Sequence, residues 1–185
     1  MTRQHKMLIG AGIAVVILAF LYIIIRAGEE GTGYLVEENG RYEVVGYDIS
    51  FGLPEGYKTF EVTDSVNSRH SVVLTREDSG SLPENGEGPT SISIDIFEVP
   101  VTTDVEQWIR NTSFSNFNLA TGEITDTVID TLLAKRYSWD GLYSGRSVVL
   151  EHNGRIIMAS GTYLTPQDPI YADFERVISS IRLGE

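Results

Sequence analysis

The segment Ser91–Val99, SISIDIFEV, carries the clearest strand pattern in the chain. Its three isoleucines recur at every second position, so they fall on one face of a β-strand. The opposite face carries two serines and an aspartate, followed by Phe97 and Val99. The alternation predicts a β-strand here, and the segments on either side indicate the kind of sheet that this strand joins.

Short segments of β-forming residues lie on both sides of this strand and are separated by turn sequences. Asn39-Gly40 and Asn153-Gly154 each suit the type I′ turn of a two-residue hairpin. The turn Gly52–Gly56 contains a proline and two glycines. The predicted strands are Tyr34–Val36, Tyr42–Val45, Tyr47–Phe51, Tyr57–Val62, His70–Thr75, Thr127–Ile129, Leu133–Trp139, Arg146–His152 and Arg155–Tyr163.

Two helices are predicted, one in the middle of the chain and one near its end. Thr103 and Glu106 have the spacing of a capping box, so we expect the first helix to begin there. Asp168 followed by Pro169 is typical of an N-cap and a first helical position. The second helix has an apolar stripe at helical spacing, formed by Ile170, Phe174, Val177, Ile178 and Ile181.

This order of elements contains no β-α-β units, because hairpins are interrupted by one helix and followed by another. It predicts an α+β domain over residues 34–185, with an antiparallel sheet on which the helices pack. Hydrophobic residues make up 42% of the chain, which is enough for one core. Glu77–Pro89, EDSGSLPENGEGP, is predicted to be a long acidic loop.

The segment Met7–Ile25, MLIGAGIAVVILAFLYIII, contains no charged residue. As an α-helix it would span roughly 28 Å, about the thickness of a bilayer's hydrocarbon core. We therefore expect a single-pass membrane anchor at 7–25, after a tail (1–6) and before a polar linker (26–33). A cleaved signal peptide is the alternative, although only Ala27-Gly28 offers small residues beyond a long apolar core. A buried soluble helix would need a polar face, which this segment lacks.

The charges around the predicted anchor predict its orientation. Arg3 and Lys6 precede the segment, and Arg26 follows it. Basic residues favour the cytoplasmic side of a membrane, so the N-terminal tail is expected there. The predicted location is the cell membrane, with the domain 34–185 on the extracytoplasmic side.

The net negative charge of the chain argues against some classes of binding partner. The formal net charge is −12, and all 26 Asp and Glu residues lie beyond Ala27. Such an exterior repels nucleic acid and anionic lipid, although an acidic surface also simply keeps a domain soluble. The chain has no cysteine, which excludes disulfides, a thiol nucleophile and thiolate metal sites. The expected partner is another membrane or envelope protein.

The exterior part of the chain resembles the PsbP-like family, the extrinsic subunits of photosystem II and their bacterial relatives. The likeness rests on Tyr47–Phe51 leading into the proline turn and aromatic residue of Leu53–Tyr57. A mid-chain helix with Trp108 follows, and Phe174–Leu183, FERVISSIRL, is similar to the family's final helix. The resemblance implies an αβα sandwich around an antiparallel sheet, and a role as an accessory or assembly module. It identifies no metal-binding or photosystem-docking residue.

Four acidic residues of the long loop are candidate metal ligands. Glu77, Asp78, Glu84 and Glu87 supply the oxygen atoms that Ca²⁺ prefers. They lack the residue order of an EF-hand loop, so a solvated charged loop is the competing interpretation. The sequence therefore predicts no cofactor, and Ca²⁺ is the alternative.

Three aromatic residues are candidate partner contacts. Tyr137, Trp139 and Tyr143 bracket the loop Asp140–Gly145, and Tyr and Trp are enriched at protein interfaces. Tyr137 and Trp139 share one strand face, so packing within the fold explains them equally well.

Motifs of catalysis are missing from the sequence. There is no phosphate-binding glycine loop and no nucleophile elbow, and His5, His70 and His152 have no metal-ligand spacing. The favoured hypothesis is a non-catalytic, membrane-tethered module that binds a protein partner or aids assembly of a complex. A small-molecule or Ca²⁺ binding domain is the alternative, and a hydrolase with paired carboxylates ranks last.

Overall fold

A computed structural model describes residues 35–38, 40–79 and 88–184, which form eleven strands and two helices. The strands are β1 Leu35–Glu38, β2 Arg41–Val44, β3 Ile49–Phe51, β4 Tyr57–Asp64, β5 Arg69–Arg76, β6 Ile92–Glu98, β7 Thr125–Ile129, β8 Leu132–Asp140, β9 Ser144–His152, β10 Arg155–Tyr163 and β11 Arg182–Leu183. The helices are α1 Val105–Asn111 and α2 Pro169–Ser180. Single 3-10 turns lie at Glu77–Ser79 and Phe117–Leu119.

Seven strands form one antiparallel sheet in the order β4-β5-β6-β10-β9-β8-β7. β6, the strand with the clearest sequence pattern, pairs with β5 on one side and with β10 on the other. A second antiparallel sheet has the order β1-β2-β3-β11. Its last strand has only two residues, too few for an alternating pattern, and the sequence did not predict it.

The two faces of the large sheet are buried by different elements. On one face, the isoleucines of β6 pack in a cluster with Phe174 and the rest of the apolar stripe of α2, and with Phe51 of the small sheet. On the other face, Phe97 packs in a second cluster with Ile109 of α1. The α+β prediction is therefore confirmed for the described residues, and each helix covers one face of the sheet.

Turn and cap chemistry agrees with the sequence in most places. Asn153 and Gly154 both have positive φ (51° and 74°), as a type I′ hairpin turn requires. The side chain of Asp168 accepts a hydrogen bond from the backbone of Ile170, with Pro169 at the first helical position. These predictions are confirmed. Each of them could be made from the sequence because turns and caps depend on a few adjacent residues.

The start of α1 differs from its prediction by one residue. Asp104, and not Thr103, is the N-cap, and its carboxylate accepts a hydrogen bond from the backbone N–H of Gln107. The hydroxyl of Thr103 donates to the carbonyl of Pro100. An aspartate caps a helix as well as a threonine does, and the turn before the helix engages the threonine.

The predicted tail, anchor and linker lie outside the described residues. Within residues 35–38, 40–79 and 88–184, no helix is long and apolar enough to cross a membrane. The described residues all belong to the unit Tyr34–Glu185. The transmembrane segment at 7–25 therefore stays a prediction from the sequence.

His70 lies inside the fold, at the second position of β5. It is 1% exposed, and its ring stacks on Tyr47 with 5.2 Å between the ring centroids. Its Nδ1 lies 3.2 Å from the hydroxyl of Thr63, and Glu61 lies near its Nε2. Burial lowers the pKa of His70, and the carboxylate of Glu61 acts in the opposite direction.

Acidification should therefore destabilise the domain through His70. The unfolded chain binds a proton at this residue near pH 6.5, whereas the folded protein binds it only at a lower pH. The contribution of the neutral His70 to the free energy of unfolding is therefore present above pH 6.5. It is lost as the pH falls towards the pKa of His70 in the folded protein. We expect His70→Gln to lose less stability than the parent between pH 7 and about pH 5.5, measured by urea unfolding. Identical losses in the two proteins would contradict this assignment.

Candidate functional site

The β8–β9 hairpin contains the aromatic residues that the sequence suggested as partner contacts. Tyr137 is 2% exposed, and its hydroxyl donates to the carbonyl of Ser115 at 2.6 Å. Trp139 is 7% exposed, and its indole N–H donates to the hydroxyl of Ser147 at 3.0 Å. Both side chains belong to the cluster beneath α1. Packing within the fold, the competing interpretation, accounts for these two residues, and a partner does not reach them in this conformation.

Tyr143 has a different position, at the turn of the same hairpin. It is partly exposed, and its hydroxyl donates to the backbone carbonyl of Gly88 at 3.1 Å. Gly88 lies near the C-terminal end of the predicted acidic loop Glu77–Pro89. The structure therefore brings together the turn of the β8–β9 hairpin and one end of the acidic loop, which the sequence analysis treated as unrelated candidates.

Three exposed leucines surround this turn. Leu142 is 69% exposed, Leu164 is 68% exposed and Leu119 is 43% exposed. Leu142 lies in the turn itself, and Leu164 directly follows Tyr163, which pairs with Ser144 at the start of β9. Together with Tyr143 these residues form what we call the hairpin-tip surface, defined as Leu119, Leu142, Tyr143 and Leu164.

Leu119 joins this surface through a close approach of two turns. Its Cδ1 atom lies 3.2 Å from the position that a Cβ atom on Gly141 would occupy. Leu119 belongs to the 3-10 turn that precedes β7, and the neighbouring Ala120 bridges to Trp139. None of the three leucines was predicted from the sequence as a contact residue. Leu142 and Leu164 carried a usable signal, since each is a large apolar residue in a turn segment.

The hairpin tip is held by tight packing behind it. A Cβ atom on Gly145 would lie 2.2 Å from the ring of Trp139, so only glycine fits at the start of β9. The backbone N–H of Gly141 donates to the carbonyl of Tyr143 at 3.0 Å, which closes the turn. The surface therefore has a fixed backbone, and a partner would not need to order it.

The predicted calcium ligands are only partly described. Glu77 and Asp78 lie in the 3-10 turn after β5, and the carboxylate of Asp78 pairs with Arg76 at 3.1 Å. Glu84 and Glu87 lie outside the described residues. Among residues that the structure describes, no group of three histidine or acidic side chains is placed to hold a metal ion. Calcium binding by this loop stays a prediction, which calorimetry on the full-length chain tests.

One of two buried carboxylates lies within β6. Asp95 accepts hydrogen bonds from the hydroxyls of Ser71 at 2.5 Å and Ser93 at 2.9 Å, and Arg69 lies 4.0 Å away. Burial raises the pKa of Asp95, and the hydroxyl donors act in the opposite direction. His70 follows Arg69 on β5 and so faces the other side of the sheet. His70 is therefore not beside this Ser–Asp pair, and the arrangement ties β5 to β6.

A second buried carboxylate connects α2 to β4. The hydroxyl of Tyr57 donates to Asp173 at 2.9 Å, and Asp173 also pairs with Arg176 one turn along the helix. Burial and the neighbouring carboxylate raise the pKa of Tyr57. Each carboxylate oxygen of Asp173 therefore has a partner, and the contact with Tyr57 ties α2 to β4.

Solved structures show what this fold is similar to. The solution structure of cyanobacterial PsbP (CyanoP) from Synechocystis sp. PCC 6803 matches with a TM-score of 0.56 at 15% sequence identity, covering 83% of this chain and 95% of that protein. A crystal structure from Bacteroides thetaiotaomicron matches with a TM-score of 0.47 at 13% identity, covering 75% of this chain and 46% of its own. No protein-family model and no curated protein matches the chain. The PsbP-like fold implied by the sequence is confirmed.

Proposed function

We propose that this chain is a non-catalytic accessory module, tethered to the cell membrane by residues 7–25, whose hairpin-tip surface binds an extracytoplasmic protein partner. The observation that carries the proposal is the set of large apolar side chains exposed around the β8–β9 turn. A partner of matching shape would bury them together with Tyr143. The partner is expected to be another membrane or envelope protein.

The energetics of the hairpin tip favour association. Leu142 and Leu164 each expose more than two thirds of their surface, and full burial of a leucine side chain is worth about 1.5–3 kcal/mol. Surface apolar residues that lie singly need no explanation, whereas several of them around one turn favour a binding site there. Because Trp139 and Gly145 hold the hairpin, little conformational entropy is lost on binding.

Two further lines support an accessory role. The fold is similar to that of cyanobacterial PsbP, and the sequence resemblance to the PsbP-like family implies accessory or assembly functions. The predicted apolar anchor, with the basic residues Arg3 and Lys6 before it, favours an extracytoplasmic position for the domain.

A photo-crosslinking residue in place of Leu142 should capture the partner in intact membranes. The matched control is Val66, which is 89% exposed in the β4–β5 turn, at the opposite end of the sheet. We expect an adduct of defined mass from position 142 and none from position 66. Leu142→Asp should abolish a crosslink placed at Leu164, since the charge would be buried unpaired in the interface. Recovery of uncrosslinked monomer at both positions would contradict the proposal.

The proposed topology has its own test. In cells with one membrane face exposed, protease should remove the domain 34–185 and spare a tag placed before Met1. Replacing Arg3 and Lys6 with glutamate should give a mixed or inverted population, because Arg26 then carries the only basic charge near the anchor. Full protection of the domain in the parent protein would refute the orientation, and a mature N-terminus at Ala27 or later would refute the anchor.

A further inference from the structure

A cleft of about 890 Å³ lies between α1 and the outer strands of the large sheet, away from the hairpin-tip surface. Leu133 and Lys135 of β8 contribute to its floor, and Glu106 and Arg110 of α1 form a wall. Asp126 of the outermost strand, β7, lines the side away from the helix. The cleft is therefore bounded on one side by a helix and on the other by the edge of a sheet.

Charged side chains cross this cleft from the helix to the sheet edge. Glu106 pairs with Arg110 at 2.8 Å and lies 3.5 Å from the ammonium of Lys135. Lys135 also contacts Asp126 at 2.7 Å, yet the side chain of Asp126 remains 76% exposed. The carboxylate at the sheet edge thus has one cation on its inner side and an open outer side.

Two apolar side chains adjoin this carboxylate. Val128 of β7 pairs directly with Leu133 of β8, and they are 57% and 80% exposed. Val128 lies two residues from Asp126, so both side chains are on the face of β7 that meets the cleft. The same face of β7 therefore presents an acidic residue, Asp126, and an apolar residue, Val128, two positions apart.

The outer edge of β7 is open in the part of the chain that the structure describes. β7 is the last strand of the large sheet, and no described strand pairs with its outer side. Such an edge presents backbone donors and acceptors that a further strand can pair with. β7 has no proline, lysine or bulge within it to block that pairing.

The charge of the cleft identifies the complementary partner. Besides the ion pairs described above, Asp104 and Glu151 line the cleft, and neither forms an ion pair within the described residues. The cleft therefore carries an excess of negative charge, which favours a basic ligand and disfavours nucleic acid or a second copy of this acidic chain.

We propose that β7 binds an extended, basic segment of another protein by strand addition. On the face of the added strand that meets the cleft, one basic side chain lies beside Asp126 and one apolar side chain, two residues away, lies beside Val128. The backbone pairing supplies affinity for any extended chain, and the two side chains select for the basic and apolar residues at that spacing. This surface is separate from the hairpin tip, so either binding event stands without the other.

The test uses two fluorescent peptides of identical composition, KSVSKSV and KVSSKVS. In an added strand the first places lysine and valine on one face two residues apart, whereas the second places them on opposite faces. We expect fluorescence anisotropy with the full-length chain in detergent to show binding of the first peptide that is at least roughly fivefold tighter. N-methylation of alternate backbone amides of the first peptide should abolish its binding, since the strand pairing is then lost.

Two variants locate the site. Val128→Ser should weaken binding of the KSVSKSV peptide at least roughly fivefold, whereas Leu142→Ser, at the hairpin tip, should leave it within about twofold. Both side chains are exposed, and equal thermal midpoints would verify that both variants fold. Equal binding of the two peptides, an unchanged affinity in Val128→Ser, or no binding up to about 1 mM peptide would each overturn the proposal.

Discussion

Phe174→Ala should lower the free energy of unfolding by about 3–5 kcal/mol, because it leaves a large cavity between α2 and the sheet. Phe174 is 1% exposed in the main core cluster. Its ring packs so closely on β10 that a Cβ atom at Gly161 would lie 2.8 Å from the Cγ atom of the ring. No other side chain of α2 is expected to fill the volume that the Phe174 ring occupies against β10.

Urea unfolding of the parent, Phe174→Ala and Leu164→Ala measures this effect. Leu164 is the control, since it is 68% exposed beyond the end of β10 and its truncation should change stability by less than about 0.5 kcal/mol. A loss below about 1 kcal/mol in Phe174→Ala would mean that α2 is not packed on the sheet as described.

Gly145→Ala should destabilise the domain by about 3 kcal/mol or more, because the new methyl group overlaps a buried ring. The Cβ atom would lie 2.2 Å from Cζ2 of Trp139, and that indole is fixed by its hydrogen bond to Ser147. Either the strand or the indole must move, and the indole belongs to the second core cluster. The hairpin-tip surface would be distorted at the same time.

Gly122→Ala is the matched control, since nothing lies within 4 Å of its Cβ position. It should leave the unfolding midpoint within about 0.5 kcal/mol of the parent. In Trp139→Leu the smaller side chain makes room for the methyl group, so adding Gly145→Ala should cost far less there than in the parent. Additive costs in the double variant would show that the indole is not the source of the strain.

The three predicted contact residues of the hairpin differ in burial, and the position of Trp139 shows why. Tyr137 and Trp139 support the hairpin from beneath α1, while Tyr143 and the three leucines lie at its tip. Aromatic residues at alternate strand positions share one face, but the sequence contains no information on whether a helix covers that face. That depends on where α1 packs, which residues distant in the chain decide.

The sequence by itself determined the features that depend on neighbouring residues. Alternating isoleucines predicted β6, Asn153-Gly154 predicted the β9–β10 turn, and Asp168-Pro169 predicted the start of α2. These features are local because backbone geometry repeats every few residues, and turn and cap residues act on their own backbone. The one-residue error at Asp104 arose where two adjacent residues are both good caps.

Only the tertiary structure decided which elements meet. The pairing of β6 with β10, the addition of β11 to the small sheet, and the contact of Tyr143 with Gly88 each join residues far apart in the chain. Each depends on the mutual burial of surfaces, and a pattern within one segment does not specify its partner. The exposed leucines of the hairpin tip and the open edge of β7 are candidate binding surfaces for the same reason, since exposure is a property of the whole fold.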